Sequence, residues 1–186
     1  MIFNWFRGNA ALDEAAVEVY AIIMAQARHP AFYADLFVPD TLDGRFDMLV
    51  LHAFLVFHRL KGEAPPADEL AQKVFDEMFM DLDHTIREMG VGDISVGKRI
   101  KKMASAFYGR AQAYDKAVTA GDSDLLADAL ARNLFPDGGA PPEPITHLSQ
   151  YVLAAAAALR AQPAEDFVAA RFSYVEPFGG GRDART

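Results

Sequence analysis

The sequence contains no cysteine and no uncharged apolar run of the length that a membrane-spanning helix requires. The absence of cysteine excludes disulfides, thiolate metal sites and cysteine nucleophiles, and it fits a reducing compartment. The two longest runs without a formal charge are residues 48–58 and 144–159. Both fall short of the ~20 residues that a bilayer span needs. The chain is therefore predicted to fold without disulfides and without a spanning helix.

The first ten residues are rich in apolar side chains but do not form a targeting signal. They lack the basic start and long apolar stretch of a secretory signal, and they lack the Arg- and Ser-rich composition of a mitochondrial presequence. We therefore expect a cytoplasmic protein. Ile2, Phe3, Trp5 and Phe6 are residues typical of interfacial anchors, so this segment either packs onto the domain or makes a peripheral contact with the inner face of the membrane.

The charge of the chain is unevenly distributed along its 186 residues. The formal net charge of −8 argues against a general nucleic-acid-binding protein, so we expect no DNA partner. Residues 68–88 hold seven acidic and two basic residues, whereas residues 98–116 hold six basic residues and one acidic residue. One segment is therefore locally basic inside an acidic protein.

Helical periodicity dominates the sequence, and no useful stretch alternates with the period of a strand. The sequence predicts an all-α fold, a single globular domain of about six to eight helices with a buried central helix. The predicted helices cover residues 13–28, a second segment that Thr41 or Asp43 caps and that continues to residue 61, and then residues 66–89, 96–119, 122–134, 145–161 and 165–172. The apolar face of the third helix is predicted to consist of Leu70, Val74, Met78, Leu82, Ile86 and Met89. Gly90 is predicted to end that helix, and Asp93 or Ser95 to cap the fourth. We divide the chain into an N-terminal helical segment (1–35), a main helical domain (36–175) and a flexible tail (176–186). The second helix is apolar on all sides and is predicted to be the central one.

The stretch at residues 80–93, MDLDHTIREMGVGD, resembles both a metal site and a phosphate loop. Glu77, Asp81 and His84 share one side of the third predicted helix, but a metal site in a helical bundle also needs a second acidic-x-x-His step, and the sequence has none. GVGD lacks the third glycine and the preceding strand of a dinucleotide fingerprint. We therefore interpret the stretch as a solvated polar face that ends in a helix-loop-helix corner.

No constellation of residues typical of catalysis is present, so we predict a protein that is not an enzyme and that carries no cofactor and no metal. His52 lies on the apolar second helix and is interpreted as a core histidine bonded to a backbone carbonyl. His58 is placed near the end of that helix.

The charged surface of the third and fourth predicted helices is the best candidate for function. The lysines of the fourth helix are either neutralised by the acidic third helix or exposed as a docking patch for RNA, acidic lipid or an acidic protein segment. Met80 lies in the middle of a polar face, where an adaptable apolar side chain favours partner contact. The candidate partner-binding surface consists of Met80, Asp81, Asp83, Arg87, Glu88, Asp93, Lys98, Lys101, Lys102 and Arg110.

Residues 75–115 carry a resemblance to a known family. The pattern D-L-D-x-x-x-R-E-M-G-V-G-D-x-x-V-x-K-x-I-K-x-M, followed by F-Y-G-R-x-x-A-Y-D, is similar to the ubiquinol-cytochrome c chaperone family. Weaker similarity extends over residues 36–172. The resemblance implies a non-catalytic chaperone or assembly factor for the ubiquinol-cytochrome c reductase, in a bacterial member of the family.

The resemblance also implies partners. They are newly made cytochrome b or another membrane-protein client, together with the ribosome and a small partner protein, which the mitochondrial members use. Two alternatives stay open: a helical protein that binds metal, haem or quinone, and an interaction module with an unrelated client.

Overall fold

The computed structural model describes residues 2–90, 92–136 and 138–177, with side chains described from residue 10 onward except that of Ile94. In these ranges the chain forms helices and no strand, as predicted. The helices are α1 (Ile2–Ala27), α2 (Pro30–Ala34), α3 (Leu42–Leu60), α4 (Ala67–Glu88), α5 (Asp93–Ala120), α6 (Ser123–Leu134), α7 (Pro142–Ala161) and α8 (Ala164–Val168). Whether residues 1–35 and 36–175 are separate units remains a prediction, and the predicted tail lies outside the described residues from residue 178 onward.

Helix α3 is the central helix, as its uniformly apolar sequence predicts. It begins where the Thr41 hydroxyl accepts a hydrogen bond from the Gly44 amide at 3.1 Å, which is a standard N-cap. Met48, Leu51 and Val56 have no exposed surface, and the helix packs against α1, α4, α5, α6 and α7. Burying each such side chain stabilises the fold by about 2 kcal/mol, so α3 organises the core.

Helix α1 begins at Ile2, eleven residues before the predicted start at residue 13. The prediction placed the start at the first acidic residue, but the residues before it contain no strong helix breaker. Gly8 costs only about 1 kcal/mol inside a helix, which a long helix tolerates. The question whether the apolar side chains of residues 1–6 pack or contact a membrane lies outside the described side chains.

Helices α4 and α5 form an antiparallel hairpin. The predicted apolar face of α4 is buried at Leu70, Val74, Met78 and Ile86, but Met89, which we assigned to that face, is 54% exposed because the helix ends at Glu88. Gly90 has a φ of +77° and ends the helix as predicted.

The start of α5 and the end of α8 correct two predicted boundaries. We expected Asp93 or Ser95 to cap α5, but Gly92 occupies the cap position without a side-chain bond and Asp93 is the first helical residue, where its charge suits the helix dipole. Helix α8 ends at Val168 instead of residue 172, because Ala170 adopts a left-handed conformation with a φ of +49°.

Candidate partner-binding surface

His52 is held in a fully satisfied network in the core. Its Nδ1 donates to the Met48 carbonyl oxygen at 2.8 Å, and its Nε2 accepts from the Tyr151 hydroxyl at 2.9 Å. The Gln26 amide donates to the same hydroxyl at 3.0 Å, and the Tyr174 hydroxyl donates to the His52 carbonyl oxygen at 2.8 Å. Burial lowers the pKa of His52 to about 4, against the hydrogen bond to Met48, so the ring is neutral at pH 7. The predicted core histidine is confirmed.

The three residues considered as metal ligands, Glu77, Asp81 and His84, are not gathered into one site. Asp81 accepts a hydrogen bond from the Tyr20 hydroxyl at 2.7 Å, which ties α4 to α1. Burial and then this bond to Asp81 raise the pKa of Tyr20. His84 lies 3.1 Å from Glu88 on the exposed side of α4. In the ranges that the structure describes, no three acidic or histidine side chains are grouped as metal ligands would be.

Arg87 closes the corner between α4 and α5. Its Nε lies 2.5 Å from Asp83 Oδ2, and its Nη1 pairs with Asp93 at the start of α5. Both carboxylates raise the pKa of Arg87. Arg87 therefore pairs with one carboxylate of its own helix and with one of α5, and Asp83, Arg87 and Asp93 act as one unit that links the two helices across the turn.

Arg110, which we placed on the candidate surface, is mostly buried, with 21% of its side chain exposed. Its Nη2 lies 2.7 Å from Oδ1 of Asp47, which is 4% exposed, and its guanidinium stands 5.9 Å from the centre of the Phe46 ring. The angle between the Arg110 guanidinium and Asp47 Oδ1 does not meet that of a hydrogen bond, so the two groups form an ion pair only. Arg110 Nε has no hydrogen-bond partner among the described residues. Burial raises the pKa of Asp47 to about 6, against the charge of Arg110. Periodicity could not show this pair, because its members are 63 positions apart.

The lysines of α5 face solvent. Lys98, Lys101 and Lys102 are exposed, and within the described part of the chain no carboxylate lies within salt-bridge distance of any of them. The described contacts therefore do not support the alternative in which the acidic residues of α4 neutralise the lysines of α5. Lys116 continues the same exposed face toward the end of the helix.

Aromatic and apolar side chains also reach the surface of α4 and α5, the helix of these lysines and its neighbour. Tyr108 is 61% exposed and packs on Phe75 with ring centres 5.8 Å apart, and Phe75 in turn contacts Phe79 at 4.7 Å. Met80 is 64% exposed, as its place on the polar face predicted. Sequence reasoning missed Tyr108, although its spacing of seven residues from Lys101 placed it on the basic face. We define the α4–α5 surface as Phe75, Phe79, Met80, Lys98, Lys101, Lys102 and Tyr108.

A second feature is a charged cleft of about 420 Å³ near the ends of α3, α5 and α7. It is lined by His58, Arg59, Lys61, Glu63, Asp115, Thr119, Ala156 and Arg160. Asp115 is paired with His58 at 2.9 Å and with Lys61 at 3.4 Å, and Glu63 is paired with Arg59. Cations are favoured at helix C-termini. The charges of the cleft are accounted for by internal pairs and helix ends, and His58 lies near the end of α3 as predicted.

The comparisons with known proteins agree on one family. Residues 34–175 match the family described as Ubiquinol-cytochrome C chaperone. The chain is 45% identical to a Cbp3 homolog from Brucella abortus, whose crystal structure superposes with a TM-score of 0.84 over 95% of this chain and 97% of that one.

Two curated relatives are more distant. The chain is 25% identical to the Xenopus laevis ubiquinol-cytochrome-c reductase complex assembly factor 1, over 74% of this chain and 68% of that protein. It is 30% identical to the mitochondrial protein CBP3 of Saccharomyces cerevisiae, over 78% of this chain and 44% of that protein. The chain thus spans about two thirds of the frog relative and less than half of the yeast one. No helix formed by the described residues is long and apolar enough to cross a membrane.

Proposed function

We propose, since the chain belongs to the ubiquinol-cytochrome c chaperone family, that it is a non-catalytic assembly factor of the ubiquinol-cytochrome c reductase and that its client is newly made cytochrome b. The family match over residues 34–175 supports the role. The identity of the client is the more specific part of the proposal. Binding of newly made cytochrome b requires a surface that accepts an apolar segment without catalysing a reaction.

The α4–α5 surface is our candidate for client binding. The observation that carries this assignment is the exposure of Met80 and Tyr108 on the same helical hairpin as lysines that have no carboxylate partner among the described residues. Methionine adapts its shape to varied apolar partners, and tyrosine contributes a large contact area together with a polar group. Phe75, which packs on Tyr108, and its neighbour Phe79 are half-buried and extend the apolar area. A newly made apolar segment would therefore lie across Tyr108 and Met80.

The lysines give the same surface a second role. Each lysine near an anionic surface contributes about 1 kcal/mol of attraction, so Lys98, Lys101 and Lys102 together are sufficient to hold the protein weakly at the site of client synthesis. In this proposal a cytoplasmic protein docks on ribosomal RNA or on acidic lipid at the inner face of the membrane. Binding to purified ribosomes and to vesicles with and without acidic lipid separates these two surfaces.

A site-specific photocrosslink tests the client directly. A photoreactive phenylalanine analogue is placed at Tyr108, and as a control at His147, which is exposed on α7, in cells that produce the reductase. We expect a crosslinked product containing cytochrome b from position 108 and none from position 147. Equal products from both positions would contradict the surface assignment, and the absence of cytochrome b from all products would contradict the client.

A further inference from the structure

Phe37 is displayed to solvent in an unusual backbone conformation. Its φ is +55°, in the left-handed region, and the residue is 59% exposed. A bulky residue is rarely found there, because its Cβ crowds the backbone. Strained positions of this kind persist only where the surrounding structure enforces them, and they concentrate at functional sites.

The loop that holds Phe37 is firmly fixed. The residues on either side, Leu36 and Val38, are buried. Their amides donate to the carbonyl oxygens of Ala31 and Phe32, each at 3.0 Å. The loop also lies directly on α3, since a Cβ at Gly44 would collide with the Pro39 carbonyl oxygen. The exposed aromatic ring is therefore presented by a rigid support.

A second exposed apolar side chain and two exposed carboxylates, which we call the acidic rim, lie within six positions of Phe37 along the chain. Leu42, the first residue of α3, is 58% exposed. Asp35 and Asp43 are exposed nearby, and among the described residues no cation lies within salt-bridge distance of either. Asp40 is already paired with Arg45 at 2.6 Å. The negative field of this region also reaches Asp47, whose pKa is raised by burial and then by Asp43. We call Asp35, Phe37, Leu42 and Asp43 the Phe37 surface.

The Phe37 surface is separate from the α4–α5 surface. Leu42 begins α3, whereas Phe57 lies near its other end and contacts Phe75 at 6.2 Å and Phe107 at 5.8 Å between ring centres. Phe57 lies fifteen positions after Leu42 in the same helix, which corresponds to about 22 Å along the helix axis. One partner segment at the Phe37 surface would leave the α4–α5 surface free.

We infer that the Phe37 surface docks a basic segment of a partner protein that carries an apolar stripe, such as an amphipathic helix with lysines or arginines flanking its apolar residues. Phe37 and Leu42 contact the stripe, and Asp35 and Asp43 face the cations. Charge complementarity selects this occupant, because the acidic rim repels acidic lipid and nucleic acid phosphates. The inference does not depend on the client proposed for the α4–α5 surface.

A pair of labelled model helices tests the inference. Both are 18-residue peptides with one leucine stripe, and the remaining positions are lysine in the first and glutamate in the second. By fluorescence anisotropy with the full chain, we expect the lysine helix to bind at least tenfold more tightly than the glutamate helix. We expect F37S combined with L42S to weaken that binding at least tenfold, while M80S combined with Y108S changes it less than twofold.

Any one of four results with these proteins would overturn the inference. They are equal binding of the two peptides, no binding of the lysine peptide, equal binding of the lysine peptide by the wild type and the F37S/L42S variant, and binding of anionic vesicles that depends on Phe37. A second variant keeps the test independent of folding. F37G removes the side chain and relieves the strain, because glycine adopts positive φ freely, so its melting temperature should rise while its affinity for the lysine helix falls. A lower melting temperature would show that Phe37 is retained for stability and would contradict a docking role.

Discussion

The interior around His52 and the α4–α5 surface differ in whether their polar groups have partners within the protein. In the interior, both ring nitrogens of His52 and the hydroxyl of Tyr151 have partners, and these bonds join α1, α3 and α7. On the α4–α5 surface, three lysines have no carboxylate partner among the described residues, and Met80 and Tyr108 are exposed. Polar groups that satisfy one another stabilise the fold, whereas unpaired ones remain available to a partner.

The comparison predicts that changes in the interior lower the free energy of unfolding and that changes on the α4–α5 surface leave it nearly unchanged. The largest effect is expected for His52→Ala. This substitution leaves a cavity and removes the acceptor of the Tyr151 hydroxyl, so it should lower the free energy of unfolding by about 4 kcal/mol at pH 7. Denaturant unfolding measures this value.

The exposed His147 provides the matched control for that substitution. His147→Ala should change the free energy of unfolding by less than about 0.5 kcal/mol. If the two alanine variants were equally stable, the network around His52 would contribute nothing and the comparison would fail.

The pH dependence of His52→Ala gives a sharper version of the same test. Because the folded pKa of His52 is lowered to about 4 from 6.5, the unfolded chain binds a proton first as the pH falls. The wild type therefore loses stability between pH 6.5 and pH 4, and the variant lacks this loss. The difference between the two should shrink by about 3 kcal/mol at pH 4. A constant difference across that range would contradict a neutral buried His52.

The substitution Arg110→Ala tests whether Arg110 belongs to the interior or to the partner-binding surface. If it is internal, Arg110→Ala leaves the buried Asp47 carboxylate unpaired and should lower the free energy of unfolding by about 3 kcal/mol at pH 8. The folded pKa of Asp47 is already raised to about 6, and losing the arginine raises it further. Asp47 therefore takes up a proton as the pH falls, and the loss should be less than half as large at pH 5.

The exposed Arg99 on the same helix is the control for Arg110. Arg99→Ala should change the free energy of unfolding by less than about 0.5 kcal/mol at either pH. Should Arg110→Ala prove equally mild, Arg110 would return to the partner-binding surface on which the sequence placed it.

Hydrophobic spacing and local end signals predicted much of the fold. The apolar run of α3, its Thr41 cap, the buried face of α4 and the stop at Gly90 all depend on neighbours within a few residues. These interactions are local, so the sequence shows them directly. The predicted start of α1 at residue 13 was wrong because no capping residue or helix breaker marks the true start.

The partners of polar and charged residues that are distant in the sequence could not be predicted. Tyr20 and Asp81 are 61 positions apart, and Asp47 and Arg110 meet only when α3 packs on α5. Helical spacing shows the face on which a side chain lies but not the group that faces it. For that reason the candidate surface included Asp81 and Arg110, whose side chains have internal partners, and omitted Tyr108, whose exposure depends on how α5 packs on α4.

Charge reversal on the α4–α5 surface tests the central claim most directly. The triple variant K98E, K101E and K102E is compared with R28E, R132E and R160E, which makes the same change in net charge at exposed positions elsewhere. Both proteins should remain folded, with the lysine variant within about 1 kcal/mol of the wild-type free energy of unfolding and the arginine variant within about 3 kcal/mol, because its three charges lie at helix C-termini. The measurement is the amount of cytochrome b in cells that depend on each variant. We predict that the lysine variant loses cytochrome b while the arginine variant keeps it. A folded lysine variant with normal cytochrome b would contradict the claim that this surface serves assembly.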